Sequence, residues 1–233
     1  MISENINIVK EKIVRICSEI NRNPEEIRII AVSKNTGINP ILEAVELGVK
    51  DFGENKAQEF FEKFSLIKKD VNWHFIGHLQ RNKVKFVVGK AEYIHSVDSQ
   101  KLAEEINRQA ERINCIQKIL LEIKTSEEES KFGLAGLPDV LSLADSIKSM
   151  HNVELIGLMT MAPFTTDKKN IRKCFSDLRK LKTVLNEKGF SIKELSMGMT
   201  NDFEVAIEEG ATMIRLGTAI FGERDYSKSW KEL

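Results

Sequence analysis

The sequence predicts an α/β protein, a single (β/α)8 barrel of the TIM type with an extra helix at its N-terminus. Strand-like apolar segments alternate with helical segments along the chain, a pattern typical of right-handed βαβ units in a parallel sheet. The strand-like segments number eight, and eight such units close into a barrel. The length of 233 residues also suits one barrel domain, which typically takes about 250 residues.

The extra helix is predicted over residues 3–20. Ser3 can serve as its N-cap, and the apolar residues that follow recur at spacings of three and four, which places them on one helical face. We interpret this stripe as the face that packs on the rest of the fold, rather than as a zipper for a partner. The stripe consists of Ile6, Val9, Ile13, Ile16 and Ile20.

The eight predicted strands are short apolar runs, several of them rich in the β-branched residues that favour strands. The first run is RIIAVS, which leads directly into Lys34. In chain order, the predicted strands cover residues 28–33, 49–53, 73–76, 93–97, 116–123, 153–159, 194–197 and 213–216.

The helices between these strands are marked by residues that favour helix ends. Pro138 is a favoured first helical residue, and Gly48, Gly189 and Gly210 stand where helices close. The predicted helices run from about 39 to 48, through residues 60–64, over 82–88, over 99–112, from 138 onward, over 167–187 and over 201–209.

A doubly wound open sheet is the alternative architecture. Against it, no GxGxxG motif follows the first strand. No linker, low-complexity stretch or charge block marks a second domain. We therefore predict one domain over residues 1–233, with the barrel at about 28–222.

Composition narrows the function classes. Lys plus Arg and Asp plus Glu each number 35, so the formal net charge is zero, which argues against nucleic acid or an anionic membrane as the main partner.

Cys17, Cys115 and Cys174 show no zinc-site or disulfide spacing, so no metal is expected. The N-terminus lacks the apolar core of a signal peptide, and no run approaches the ~18 apolar residues of a membrane span. We expect a cytoplasmic monomer.

The ends of the seventh and eighth strands favour a phosphate site, because barrels frequently bind phosphate in the loops after these strands. Small residues there let backbone N–H groups approach a ligand. The helix predicted to start at Thr200 and Asn201 would favour an anion at its N-terminus. Ser196 and Thr218 add hydroxyl donors. The alternative is that these are ordinary turn residues.

Lys34 stands at the end of the first strand, where barrels place functional residues. A lysine in this position is often only solvated. The functional interpretation is a Schiff-base lysine, whose amine must be neutral to attack an aldehyde and whose pKa would be lowered by burial in the barrel mouth. A ligand that carries both an aldehyde and a phosphate would use the lysine and the phosphate site together.

Arg215 lies in the eighth strand and is expected to face the barrel interior, where a charge needs a partner. That partner is either an acid such as Glu54 or a bound ligand. His74 and His78 flank the end of the third strand, and we interpret them as packed or solvated, since no Asp or Ser spacing links them into a triad.

Six blocks of the sequence, in order, are AVSK (31–34), FGEN (52–55), WHFIGHLQRNK (73–83), GLMTMAP (157–163), LSMGMTNDF (195–203) and IRLGTAIFGERDY (214–226). Together they closely resemble the pyridoxal-phosphate homeostasis protein family, whose fold resembles the N-terminal barrel of alanine racemase. The resemblance runs from about residue 28 to residue 226. It implies that pyridoxal 5′-phosphate is the cofactor.

The resemblance also implies a role for each site residue. Lys34 forms the Schiff base, and Arg215 faces the pyridine nitrogen. Ser196, Gly217 and Thr218 hold the phosphate, and Asn55 and Met159 line the pocket.

Two functions are compatible with such a site. One is a non-catalytic carrier that buffers the cofactor or passes it to apo-enzymes, and the other is an amino-acid racemase. Arg215 stays protonated, so a pyridine nitrogen facing it stays unprotonated, which weakens the ring as an electron sink. This disfavours a transaminase but not a racemase, because alanine racemase also presents an arginine there.

A racemase needs a second base on the opposite face of the substrate, which alanine racemase takes from a tyrosine of an extra β domain. No such domain is expected here, Tyr93 opens the fourth strand at the far end of the barrel, and Tyr226 lies in the tail. We therefore favour the carrier. A barrel that binds a different phosphate metabolite is the third alternative.

Overall fold

The computed structural model describes residues 1–125, 133–223 and 229–232. Every strand that the alternating pattern predicts is present, with bounds that differ from the predicted ones by at most two residues. The strands are β1 Arg28–Val32, β2 Asp51–Glu54, β3 Asn72–Phe75, β4 Tyr93–Val97, β5 Gln117–Glu122, β6 Val153–Met159, β7 Glu194–Ser196 and β8 Met213–Leu216.

The strands form one closed parallel barrel in sequence order. The ring closes where β8 pairs with β1, with Ile30 opposite Arg215 and Ala31 opposite Leu216. The predicted (β/α)8 fold is therefore confirmed. The closure sets the site, because it brings the carboxyl end of β1 beside those of both β2 and β8.

The helices follow the predicted order, with two additions and one change of type. The segment after β3 is a 3-10 helix, Arg81–Phe86, where a short helix was expected, and another 3-10 turn precedes β1. A four-residue helix after β8 was not predicted. The α-helices are α1 Ile2–Glu19, α2 Ile38–Glu46, α3 Ala57–Leu66, α4 Gln100–Arg112, α5 Leu137–Lys148, α6 Lys168–Glu187, α7 Phe203–Glu208 and α8 Thr218–Phe221.

The N-terminal helix α1 packs against α2, α7 and α8. Its apolar stripe is buried from Ile6 to Ile16, whereas Ile20 lies past the helix end and is 38% exposed. Asn5 fixes the helix by donating a hydrogen bond to the carbonyl of Ile220 in α8, at 3.0 Å. In the part of the chain that the structure describes, no helix is both long enough and apolar enough to cross a bilayer.

The core has two layers, as a barrel requires. The larger layer lies between the strands and the surrounding helices. The smaller layer fills the barrel and mixes apolar side chains with buried polar ones, among them His74 and His95. The apolar residues of the inner layer are Ile30, Tyr93, Leu120, Ile156, Met159 and Met213.

Gly157 marks a close approach between β6 and β7. A Cβ atom at this position would lie 2.6 Å from the carbonyl oxygen of Glu194 and 3.0 Å from Cδ2 of Leu120. The first contact is with backbone, which cannot rotate away.

We predict that Gly157→Ala lowers the free energy of unfolding by about 1–3 kcal/mol, because an overpacked core shifts its backbone. Urea denaturation measures the loss. Gly136→Ala is the control, since its new Cβ would make only an ordinary 3.6 Å contact with Pro138. A loss no larger than that of the control would contradict the close approach.

Candidate functional site

The predicted site residues gather at the carboxyl end of the barrel. Lys34 follows β1, which pairs with β2 on one side and with β8 on the other. Asn55 follows β2, and Arg215 lies in β8. Barrel closure therefore places Lys34 between β2, which leads into Asn55, and β8, which carries Arg215.

Lys34 is half-buried at the point where β1 turns toward α2. Ser33 points outward, because its hydroxyl donates to Glu54 Oε1 at 2.7 Å, in contact with the helix layer. Neighbouring side chains of an extended segment point to opposite sides, so we expect Lys34 to point, like Ile30, toward the barrel axis. Asn35 then takes a left-handed conformation with φ 55°, which turns the chain immediately after the lysine.

A buried charge cluster holds the backbone on both sides of Lys34. Lys63 of α3 is fully buried, and its Nζ donates to the carbonyl of Ser33 at 2.6 Å. The same Nζ lies 2.8 Å from Glu54 and 2.7 Å from Glu59. The main-chain N–H of Asn35 donates to Glu59 at 2.7 Å.

Glu54 is thus the partner of Lys63 and not of Arg215, which answers the question that the sequence left open. Burial raises the pKa of Glu54 to about 7, against the opposing effect of Lys63. We expect the cluster to hold the residues that flank Lys34 in a fixed turn, because a buried lysine that bonds two carboxylates and a carbonyl has little freedom.

Arg215 is 4% exposed inside the barrel. Its Nη1 donates to the carbonyl and the hydroxyl of Ser196 at 2.8 and 2.7 Å, and its Nη2 donates to the carbonyl of Thr160 at 2.9 Å. Burial lowers the pKa of Arg215 to about 10, partly offset by Asp202 and Glu122, so the group stays charged at neutral pH. These contacts leave at least two of the five guanidinium donors without a partner among the described residues.

Glu122 of β5 is a buried acidic side chain that interacts electrostatically with this charge. Burial raises the pKa of Glu122 to about 7, and Asp98 adds to the rise while Arg215 opposes it. The interior therefore holds a guanidinium and a carboxyl group that changes charge near neutral pH. No motif marks Glu122 in the sequence, because a single acid at the end of a strand has no characteristic spacing to other polar residues.

Ser196 is fully buried beneath Arg215. Its hydroxyl lies 2.9 Å from Nδ1 of His95 and accepts from the guanidinium. The structure thus directs this hydroxyl into the barrel interior, whereas Gly217 and Thr218 lie at the strand end. His95 was not singled out from the sequence, since its position in β4 is 101 residues away along the chain.

The hydroxyl of Thr200, in the segment after β7, connects this segment to the residues that follow β8. This oxygen accepts from Thr218 Oγ1 at 3.2 Å and from the N–H of Ala219 at 3.3 Å. Gly217 precedes the first turn of α8 and gives it no side-chain cap. Donors from both strand ends therefore converge at one place.

The helix after β7 differs from its prediction. It begins at Phe203 rather than at residue 201, and it is only six residues long. The carboxylate of Asp202 accepts from the N–H of Met199 at 2.5 Å. An acidic side chain at this end disfavours an anion there, whereas the hydrogen bonds between Thr200 and the start of α8 involve no acidic side chain.

Asn55 and Met159 differ in their surroundings. Oδ1 of Asn55 is buried without a hydrogen-bond partner in the described part of the chain, and such a buried acceptor is costly unless a ligand or water satisfies it. Gly77 packs closely against the backbone of Asn55, since a Cβ there would lie 2.2 Å from the carbonyl oxygen of Asn55. Met159 is 1% exposed and belongs to the inner apolar layer.

The two histidines singled out from the sequence also differ. His74 is fully buried inside the barrel, with its ring stacked on Tyr93 at a centroid distance of 4.9 Å. His78 is 38% exposed and lies 3.8 Å from Asp98. Tyr226 lies outside the described residues.

Comparison with known proteins identifies the family. Residues 6–225 match the family model of the alanine racemase N-terminal domain. The pyridoxal phosphate homeostasis protein of Aquifex aeolicus is 41% identical over 225 residues, covering 96% of this chain and 98% of the relative. The protein of the same name from Haemophilus influenzae is 39% identical over 236 residues, covering 98% of each chain.

Solved structures agree with this assignment. PipY of Synechococcus elongatus, a structure described as having PLP bound, has a TM-score of 0.83 and 32% identity, covering 95% of this chain and all of that one. An alanine racemase of Clostridium difficile has a TM-score of 0.73 at 16% identity, covering 98% of this chain and 58% of that one, and so shares the fold alone. The chain therefore belongs to the pyridoxal phosphate homeostasis protein family, within the wider group defined by the alanine racemase N-terminal domain.

Proposed function

We propose that this chain binds pyridoxal 5′-phosphate covalently on Lys34 and acts in the intracellular homeostasis of that cofactor, without catalysing a reaction on amino acids. The observation that carries the proposal is the convergence of Lys34, the buried Arg215 and the hydroxyls at the ends of β7 and β8 around one barrel mouth. The family assignment and the PLP-bound structure of PipY support it.

The residues at the mouth fit this cofactor part by part. Pyridoxal phosphate supplies an aldehyde, a phosphate and a pyridine ring that can take up electrons. Lys34 provides the amine, which acts as a nucleophile when neutral. Arg215 would offer its remaining donors to the ring nitrogen, and Asn55 offers a buried oxygen that has no partner among the described residues.

The phosphate contacts come from the strand ends. Thr200 and Thr218 supply hydroxyls, and Gly217 lets the first amides of α8 approach closely. Ser196, which the family resemblance assigned to the phosphate, acts in this proposal through Arg215, because its hydroxyl is turned toward that guanidinium.

A carrier role follows from what the tyrosines offer. Arg215 does not decide between a carrier and a racemase, because a guanidinium that keeps the ring nitrogen unprotonated disfavours only a transaminase. Tyr93 stacks on His74 inside the barrel, at the amino end of β4, so it cannot reach the mouth. We propose that the cofactor is buffered here or passed to apo-enzymes, which would make those enzymes the partners of this chain.

We predict that borohydride reduction fixes the cofactor mass on the peptide that contains Lys34, as read by mass spectrometry. Lys34→Ala should lose the visible absorption of the bound cofactor, because no other amine stands at that position. Lys56→Ala, at an exposed lysine that precedes α3, is the matched control and should keep the absorption. Mass found on a different lysine would overturn the assignment.

We predict that Thr200→Val and Thr218→Val each weaken binding of pyridoxal phosphate by about tenfold or more, since a hydrogen bond to a charged group contributes roughly 1.5–3 kcal/mol. Their affinity for pyridoxal, which has no phosphate, should stay unchanged. Thr183→Val, at an exposed position of α6, is the control, and titration calorimetry measures all affinities.

Ser196→Ala distinguishes the two roles considered for Ser196, which are a direct contact with the phosphate and an indirect effect through Arg215. If Ser196 acts through Arg215, the substitution lowers the affinities for pyridoxal phosphate and for pyridoxal by the same factor. A loss confined to pyridoxal phosphate would return Ser196 to the phosphate site.

We predict no racemisation at an ordinary enzymatic rate. The loaded protein is incubated with single L-amino acids in deuterated water, and α-proton exchange and chirality are followed by NMR and chiral chromatography. Free pyridoxal phosphate at the same concentration is the control. Slow exchange without inversion agrees with a carrier, because Lys34 alone can move a proton on one face. Racemisation that is lost in Tyr226→Phe would establish an enzyme instead.

A further inference from the structure

A continuous chain of hydrogen bonds runs through the barrel interior beneath the site. Asp51 Oδ1 lies 2.9 Å from Nε2 of His74, and Nδ1 of His74 lies 3.0 Å from Nε2 of His95. Nδ1 of His95 lies 2.9 Å from the hydroxyl of Ser196, which lies 2.7 Å from Nη1 of Arg215. The chain begins at the amino end of β2 and ends at the guanidinium that faces the mouth.

We propose that Asp51, His74, His95 and Ser196 are positioning residues, which form a one-directional hydrogen-bond chain that orients Arg215 toward the ligand. The inference rests on the proposed function only in naming that ligand. The direction of the hydrogen bonds between these side chains depends on the protein alone.

The two ends of the chain determine the direction of every hydrogen bond. A carboxylate only accepts and a guanidinium only donates, whereas a neutral imidazole has one donor and one acceptor nitrogen. The Nε2–H of His74 must donate to Asp51, which leaves its Nδ1 to accept from the Nε2–H of His95. Nδ1 of His95 then accepts from the hydroxyl of Ser196, whose oxygen accepts from Arg215.

Burial keeps both imidazoles neutral, as this order requires. His74 and His95 are each 0% exposed. Burial lowers the pKa of His74, and the neighbouring Asp51 only partly offsets the effect. It lowers the pKa of His95 further, with added repulsion from His74 and Arg215.

The remaining charged groups around the two rings do not change this conclusion. Arg28 acts on both rings and disfavours their protonation. Glu92 acts on His74 in the opposite direction, with a smaller effect than that of burial. A cation at either ring would instead reverse the last step, since Nδ1 of His95 would then carry a proton and donate to the hydroxyl of Ser196.

The fixed direction has a consequence for Arg215. The hydroxyl of Ser196 is committed as a donor to His95, so its lone pairs face the guanidinium and stabilise its charge. Nη1 is thereby held on Ser196 and Nη2 on Thr160, and the other donors are left for the ligand. If the hydrogen bonds ran in the opposite direction, the hydroxyl proton of Ser196 would turn toward Arg215, and the hydroxyl would stabilise the guanidinium charge less.

The proton order is tested first on the protein without cofactor. Long-range ¹H–¹⁵N correlation spectra distinguish the two imidazole tautomers and the cation. We expect His74 and His95 both neutral and both in the Nε2–H form at pH 7, with assignments from the single variants His74→Gln and His95→Gln. An Nδ1–H tautomer or a cation at either ring overturns the proposal. Because the tautomers are read on the wild-type chain without a ligand, this measurement does not depend on the proposed function.

The effect on Arg215 is tested by a double-mutant cycle. Asp51→Ala should weaken binding of pyridoxal phosphate and pyridoxal by roughly threefold each, and Ser196→Ala by roughly tenfold each. The double variant should lose no more than Ser196→Ala alone, because the proposal connects Asp51 to Arg215 only through Ser196. Asp70→Ala, an exposed aspartate before β3 at the same end of the barrel, is the matched control.

Additive losses overturn the proposal, as does a loss for Asp51→Ala that is confined to the phosphorylated ligand. If wild-type protein binds neither compound, the proposed function fails, while the tautomer spectra still decide the direction of the chain.

Discussion

The guanidinium of Arg215 lies inside a closed barrel, where its positive charge must be stabilised almost without water. Two carbonyls, the hydroxyl of Ser196 and the more distant Asp202 and Glu122 provide that stabilisation. Much of the polar interior is arranged around this charge, since the hydroxyl in turn binds His95. A ligand that approaches the mouth therefore meets a donor group whose orientation is set before binding, which lowers the entropic cost of recognition.

A second buried cation stabilises the other half of the site from outside the barrel. Lys63 bonds Glu54, Glu59 and the carbonyl of Ser33, and this cluster holds the turn that presents Lys34. Removing one partner from such a cluster leaves an uncompensated buried charge, which typically costs about 3–5 kcal/mol. The lysine proposed to bind the ligand is thus separate from the lysine that shapes its turn, and each is supported by a different layer of the fold.

The likeness to alanine racemase is a likeness of scaffold. At 16% identity the two share the barrel, and a barrel hosts many chemistries because function depends on the residues at the strand ends. Within the family to which this chain belongs, the strand-end residues of β1, β7 and β8 are compatible with holding a phosphorylated aldehyde.

The sequence by itself determined the alternation of strands and helices, the barrel and the position of Lys34, because these depend on local periodicity and on residues adjacent in the chain. Only the tertiary structure decided that Ser196 faces Arg215 and not the strand end, and that His95 of β4 reaches Ser196 of β7 across the interior. The hydrogen bonds from Thr218 and Ala219 to Thr200 were likewise not predictable, since α8 is too short to leave a periodic signal. These contacts join segments far apart in sequence, and they exist only after β8 has paired with β1 and enclosed the interior.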